Sequence, residues 1–462
     1  MIALLTWRGA TSDYDVTAPI APQRRSKLLL LFLAAASCIW APALPAWTAV
    51  YCGRLRGWQH HAMMPVRLLK AYLAWHLVTA ALAPSPSECT ASLVLVLGCV
   101  SLSHYVKPAW SKARLGPRPW SWAWHNRTHY LVASAYAWGW ARFVPAAAVS
   151  RLLRRMRVID RPVNVITMVV EAAGLFAFTD RRFLIAALVA TAFFNLAVAL
   201  ASGILFWENI AVNAGFAAAI GLLPRTEYAT AFGWPAVLIA LTVILLCTAD
   251  LLWQPWHLGW WDSPFTARVH WQVETVSGAA LGLYNGFMCP YEREFGRVEG
   301  YFLTDEPVLH GHLGIVWERR LRDLIVEAGA DRVQLRALKE SHGRTYEDEE
   351  QSARHIAFLT AMFLRLNAGT RKSPLPRRLR FLKAPGGQLY RWGDLPAYRG
   401  DEPVRRITIR YQERCYLPRT GEFVLIADHV LREIDLGAPK THQENTTCAR
   451  SSSTAAPTSE PS

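Results

Sequence analysis

Long apolar runs separated by short arginine-rich segments fill the chain from Leu28 to about Trp253. The runs lie at 28–50, 68–84, 88–106, 128–147, 162–179, 183–203, 205–224 and 232–253. A helix needs about 20 apolar residues to cross about 30 Å of hydrocarbon. The runs at 183–203 and 232–253 meet this cleanly, whereas 68–84 and 162–179 are short. They are continuous Leu/Ala/Val runs, not ten-residue alternating segments, which excludes a transmembrane barrel. The first run follows Arg24-Arg25-Ser26-Lys27. That arrangement also fits a signal peptide, but the run is long for one and further runs follow, so it reads as an uncleaved first span. The pattern predicts about eight spans. The segment 148–161 carries Arg151, Arg154, Arg155, Arg157 and Arg161 and reads as an amphipathic helix lying on the membrane surface. Positive charge falls on too many connecting segments to select an orientation.

Beyond Trp271 the composition changes and charged residues become frequent. Trp317, Leu321, Leu324, Ile325 and Ala328 follow helical spacing, as do Ile356, Leu359, Met362, Phe363 and Leu366. Ahead of the second set, Glu347 to Glu350 place negative charge at the positive end of a helix dipole. Residues 406–416 alternate instead, with Ile407, Ile409, Tyr411 and Cys415 on one face. Pro418-Arg419-Thr420-Gly421 then predicts a turn, and 423–426 a returning strand. The expected organisation is a polar segment 1–27, an all-α polytopic membrane bundle 28–284, a soluble α+β domain 285–440 and a disordered Ser/Thr/Pro-rich tail 441–462.

Composition agrees with a membrane chain. Hydrophobic residues make up 52% and charged residues 18% of the 462, against about 25% charged in soluble domains. Many of the 20 Trp, such as Trp138, Trp140, Trp260 and Trp261, crowd the ends of apolar runs, where indole suits the headgroup region. The net charge of +15 could indicate nucleic acid, but the arginines sit between apolar runs and form no basic groove interleaved with aromatics. The lipid bilayer is the expected partner, and no nucleic acid is expected. The eight Cys form no CxxC pair, so neither a disulfide framework nor a zinc site is indicated.

A polar group inside an apolar run costs roughly 2.5–3.5 kcal/mol on insertion scales, which makes it a functional candidate. Glu171 lies within Val163–Phe178, Asn195 within Phe183–Leu200, and Glu208 with Asn209 just after Trp207. Each also has a structural explanation: an ion pair with an arginine such as Arg142 for Glu171, an interhelical hydrogen bond for Asn195, a place at the membrane edge for Glu208. Asp250 and His257 read as interfacial, and His76 as a packing histidine. His310 and His312 form an HxH pair without a recognisable third ligand, so no metal is assigned, and the cofactor is unknown. No phosphate-binding Gly loop, GxSxG elbow or HExxH motif is present.

Three stretches then carry a resemblance. They are Tyr136-Ala137-Trp138-Gly139-Trp140-Ala141-Arg142, Glu171 in the span before Thr179-Asp180-Arg181-Arg182, and Phe194-Asn195 through Gly203-Ile204-Leu205-Phe206. With them, 130–290 resembles the HTTM (horizontally transferred transmembrane) family, which is related to the membrane domain of vitamin K-dependent gamma-carboxylase. Gly286-Phe287-Met288 sits where that family enters a small soluble domain, and Arg405–Ile426 resembles its closing hairpin. The carboxylase uses a Lys as base in the first stretch. Here Ala141 and Arg142 stand there, and Arg stays protonated, so the resemblance implies the fold and argues against gamma-carboxylation.

These observations lead to the expectation of a membrane enzyme or binder for a hydrophobic small molecule. Glu171, Arg142 and Glu208 are its candidate catalytic groups. Asn195, Asn209 and Trp138 are its candidate substrate contacts. The alternative is a transporter or a non-catalytic scaffold whose soluble domain docks a partner.

Overall fold

The architecture is that of a computed structural model, which describes residues 2–11, 20–54, 63–288, 299–302, 311–312, 314–370, 375–387 and 389–437. The expected tail 441–462, residues 1 and 12–19 of the polar segment 1–27, and His310 lie outside the described residues.

Eight spans are not what the apolar runs build. Among the described residues, three helices are long and apolar enough to cross a membrane: α5 (Pro86–Ala113), α8 (Ala146–Ala172, extended by a 3-10 turn to Thr179) and α9 (Arg181–Ser202). The other runs are cut short for local reasons. The first becomes a hairpin of α2 (Ile20–Ser37) and α3 (Ala43–Arg54), broken ahead of Pro42. α4 (Met63–Leu82) carries Arg67 and Lys70. The run 128–147 yields α6 (Ser121–His125) upstream and α7 (Thr128–Trp138), which stops at Gly139 in a left-handed conformation (φ 109°). α10 (Trp207–Leu222) has 16 residues and α11 (Trp234–Thr248) has 15. At 1.5 Å per residue these reach only about 22–24 Å. A short α1 (Ile2–Thr11) precedes them all.

The segment 148–161 is not a separate surface helix. It is the first half of α8 and continues directly into the apolar half. One face of α8 buries Ser150, Leu153, Asp160, Asn164 and Glu171, at helical spacing. The opposite face exposes Leu152, Val158, Ile166 and Val169. Polar inside and apolar outside is the arrangement that lipid selects.

The helical bundle also ends earlier than residue 284, because a sheet begins at 261. Strands β1 (Trp261–Asp262), β2 (Phe265–Thr275) and β3 (Ala280–Leu283) precede β4 (Glu299–Phe302), β5 (Gly311–His312), β6 (Ile315–Val316) and β7 (Arg344–Glu347). The long strands β8 (Val404–Leu417) and β9 (Glu422–Asp435) form the hairpin expected around Pro418–Gly421. The main antiparallel sheet runs β3-β2-β8-β9, with β5 also on β2. Trp271 stands opposite Ile409 and Val269 opposite Tyr411. This face packs on α12 (Arg319–Ala328), α13 (Arg332–His342) and α14 (Glu349–Asn367) through Leu321, Ile325, Leu335, Leu359 and Phe363. Asp348 caps α14 by accepting the Gln351 N–H. The other face of β2 is buried too, because α7 lies against it.

A strap of chain ties this cap to the bundle. Arg391 N–H donates to Gly139 O (3.1 Å), Leu389 N–H to Gly203 O (2.9 Å), and Leu205 N–H to Gly387 O (2.8 Å). Tyr390 Oη donates to Ser202 O (2.6 Å) and its ring meets Trp138 edge-on. At Gly139 a Cβ would lie 2.0 Å from Arg391 O, so both the positive φ and the close approach require glycine. Gly139→Ala is expected to destabilise the protein by about 2–4 kcal/mol, read as a lower unfolding temperature in detergent.

Candidate functional site

Among the described residues, each candidate from the sequence meets its own neighbours rather than the other candidates. Glu171 is 2% exposed and accepts both oxygens' bonds from Lys112 Nζ, at 2.7 and 2.9 Å. The expected ion-pair partner was an arginine such as Arg142. Lys112 was read as part of a connecting segment, but α5 runs on to Ala113 and carries it into the interior, beside the Trp122 ring. Lys107 is likewise buried and bonds Thr248 O and Asp250 Oδ2, both at 2.6 Å. Glu208 meets the guanidinium of Arg8 on α1. Asn195 donates to Tyr105 Oη (2.6 Å) and Thr191 O (2.7 Å), and Asn213 donates to the same Tyr105 Oη (2.8 Å). Ser101 completes this network through Asn213 Oδ1 (2.8 Å).

Arg142 sits over the Tyr136 ring in the turn after α7, with Nε and Nη2 buried and without a hydrogen-bond partner among the described residues. The Asn209 side-chain oxygen also finds none. Trp138 is fully buried against Tyr390. Among the described residues no three His, Cys, Asp or Glu side chains gather as a metal ligand set.

A cavity of about 470 Å³ lies elsewhere, where α7, α8, α12 and the β8–β9 turn meet. Its floor is His129 and Tyr130, both buried, and its walls carry Arg127, Arg157, Arg319, Arg322 and Arg419. Its α8 wall residue, Arg157, lies in the arginine-rich half of that helix, little more than one turn before the apolar half begins.

His129 belongs to a tightly specified pair. Its backbone N–H donates to Asp160 Oδ1 (3.0 Å), and its Nδ1 lies 2.6 Å from Asp160 Oδ2. A carboxylate only accepts, so Nδ1 supplies the proton of this bond and Nε2 is the nitrogen left for other partners. Among the described residues nothing bonds to Nε2. The geometry has a structural cause as well. The residue before α7, Arg127, offers no side-chain cap, and Asp160 satisfies one of the orphan N–H groups from across the interface. Asn164, one turn along α8, accepts from Thr128 Oγ1 and donates to Ala123 O (3.2 Å) and Asn126 O (3.1 Å). A His whose Nδ1–H is held by a buried carboxylate can move a proton at Nε2.

Behind α7's start, Asn126 donates to Asp262 Oδ2 (2.7 Å) and accepts the Asp262 N–H (2.9 Å). Burial raises the Asp262 carboxyl to about 7, against the pull of the Asn126 and Trp260 hydrogen bonds and the Lys112 charge. Sequence reading singled out neither His129 nor Asp160. One signal was available: between Glu88 and Glu171, Asp160 is the sole carboxylate, and it sits in an otherwise purely basic segment.

Two predictions follow from these pairs. Lys112→Met strands a buried carboxylate and should cost about 3–5 kcal/mol, while Lys112→Met with Glu171→Leu recovers most of it. Unfolding temperatures of the two variants in detergent check this. For Asp262, the folded state holds its proton up to about 7 and the unfolded chain to 3.8. Its contribution to stability is therefore full below 3.8 and is lost as pH rises towards 7. Asp262→Asn should flatten the decline in unfolding temperature across that window.

Compared with known proteins, the chain matches no family model, no curated sequence and no solved structure.

Proposed function

We propose that the chain is a membrane-embedded enzyme that handles a hydrophobic small molecule, presented by its polar end to the cavity at the bilayer edge. One observation carries this reading: His129, held by Asp160 on α8, lines an open cavity where α7, α8 and the sheet-bearing cap meet. Asp160 orients the imidazole and stabilises its protonated form, and Nε2 accepts or delivers the proton. The apolar tail lies along the exposed Ile166 and Val169 face of α8, while the reacting group reaches His129. Kinship with HTTM proteins is part of the proposal and rests on the three sequence stretches described above. The buried Glu171–Lys112 and Asn195–Tyr105 pairs then serve as interhelical ties that hold α5, α8 and α9 in place.

The test uses the full chain in lipid nanodiscs, incubated with a total membrane lipid extract and followed by mass spectrometry. The wild type should consume at least one lipid species. His129→Gln keeps the backbone bond to Asp160 and should lower turnover by about 10²–10⁴-fold, with an unfolding temperature close to that of the wild type. Turnover that survives in a folded His129→Gln protein would sink the assignment.

A further inference from the structure

The five guanidiniums around this cavity are unequally engaged. Arg322 is committed to structure: Nη1 donates to His125 O (2.6 Å), Nε and Nη2 donate to Asp323 Oδ1 (3.0 and 2.7 Å), and its plane covers the Trp261 ring. Arg319 approaches Asp323 Oδ2 at 3.7 Å. Asp323, the single carboxylate on the wall, is thus already taken up by two arginines. For Arg127, Arg157 and Arg419 no carboxylate or other hydrogen-bond acceptor is found among the described residues. They come from the start of α7, the middle of α8 and the β8–β9 turn, three segments far apart in sequence.

Bringing three unpaired like charges to one opening is unfavourable unless something anionic shares them. The fold does so deliberately at the turn. Ser150 on α8 donates to Gly421 O, and a Cβ on Gly421 (φ 80°) would press on the Ser150 and Arg154 side chains at 3.3 Å. This contact pins the turn, and Arg419 with it, against the arginine-rich half of α8.

We infer that the cavity binds a phosphate monoester or diphosphate group, held by Arg127, Arg157 and Arg419. A carboxylate offers one charge and two oxygens. A phosphate monoester carries about −1.5 to −2 charges near pH 7 and three acceptor oxygens, which suits three forked donors from three directions. The volume of about 470 Å³ is that of a headgroup-sized site, within the roughly 300–1,000 Å³ of small-molecule pockets. The inference rests on the reading of this cavity as the working site, and names the chemistry it recognises. The phosphate can arrive on a membrane lipid or on a soluble compound.

Binding to the full chain separates these sources. One arm titrates inorganic pyrophosphate into detergent-solubilised protein by calorimetry. The other measures binding of the nanodisc-embedded chain to short-chain phosphatidic acid, a monoester, against phosphatidylglycerol, a diester. Preference for phosphatidic acid with weak pyrophosphate binding assigns a lipid headgroup. Comparable binding of both assigns a soluble phosphate compound. Either result requires that Arg157→Gln with Arg419→Gln lower the affinity at least tenfold, and that Arg155→Gln, on α8 but outside the cavity, leave it within about twofold. Equal binding of the monoester and diester, or equal losses in the double variant and Arg155→Gln, would reduce the cavity to general attraction of anionic lipid and overturn the inference. His129→Gln separates this inference from the catalytic one. Retained monoester binding without the expected loss of turnover counts against proton transfer alone, and lost discrimination with turnover unchanged counts against the phosphate site alone.

Discussion

The molecule is organised around a short buried helix whose two ends are satisfied by opposite charges from other elements. α7 has 11 residues, most of them buried, so its terminal N–H and C=O groups are shut away from water and must find partners in protein. At the amino end Asp160 of α8 accepts the His129 N–H. At the carboxyl end Arg268 of β2 donates to Ala137 O (3.2 Å) and Trp138 O (2.6 Å). An acid at the start and a guanidinium at the end also match the helix dipole. Since Asp160 comes from α8, a helix long and apolar enough to cross a membrane, and Arg268 from the sheet, the same pair of contacts joins the helical bundle to the cap. Arg268 is itself kept in register by Gln412 on β8. The orientation of the His129 imidazole is therefore a by-product of helix termination: the residue that must be capped carries the ring that the cap also holds.

How far the sequence revealed this differs from element to element. α12, α14 and the β8–β9 hairpin were legible, because each buries one face and exposes the other, leaving clean periods of 3.6 and 2. The eight-span count was not, because an apolar run says nothing about where the backbone turns. Gly139 ends α7 and Pro42 precedes α3 inside stretches whose hydropathy barely changes. β2 was hidden for a different reason. Phe265, Ala267, Val269, Trp271 and Val273 face the cap core, while Thr266, Arg268 and His270 are buried under α7. With both faces covered, its polar positions looked like those of a connecting segment.

The polar groups show the same division between what is local and what is not. Glu171, Asn195 and Glu208 stand out from their apolar surroundings in one dimension, so a reader can mark them. Their partners Lys112, Tyr105 and Arg8 cannot be read in the same way, since Lys112 looks like an ordinary loop lysine until α5 is known to continue past it. The cavity is harder still. Arg127, Arg157, Arg319 and Arg419 are four unremarkable exposed or half-exposed arginines along the chain, and only the packing of α7, α8, α12 and the hairpin gives them a common centre.

The continuous helical segment from Ala146 to Thr179 has a geometric consequence. Its 34 residues measure about 50 Å, against a hydrocarbon thickness of about 30 Å. Crossing a bilayer would leave roughly 20 Å of this segment clear of the oily layer, and the turns bearing Arg151 to Arg161 account for that length. The height of the cavity above the lipid tails would then follow from a count of residues along one element, and the substrate proposed above would be gauged by how high its head projects, with little regard to how long its tail is.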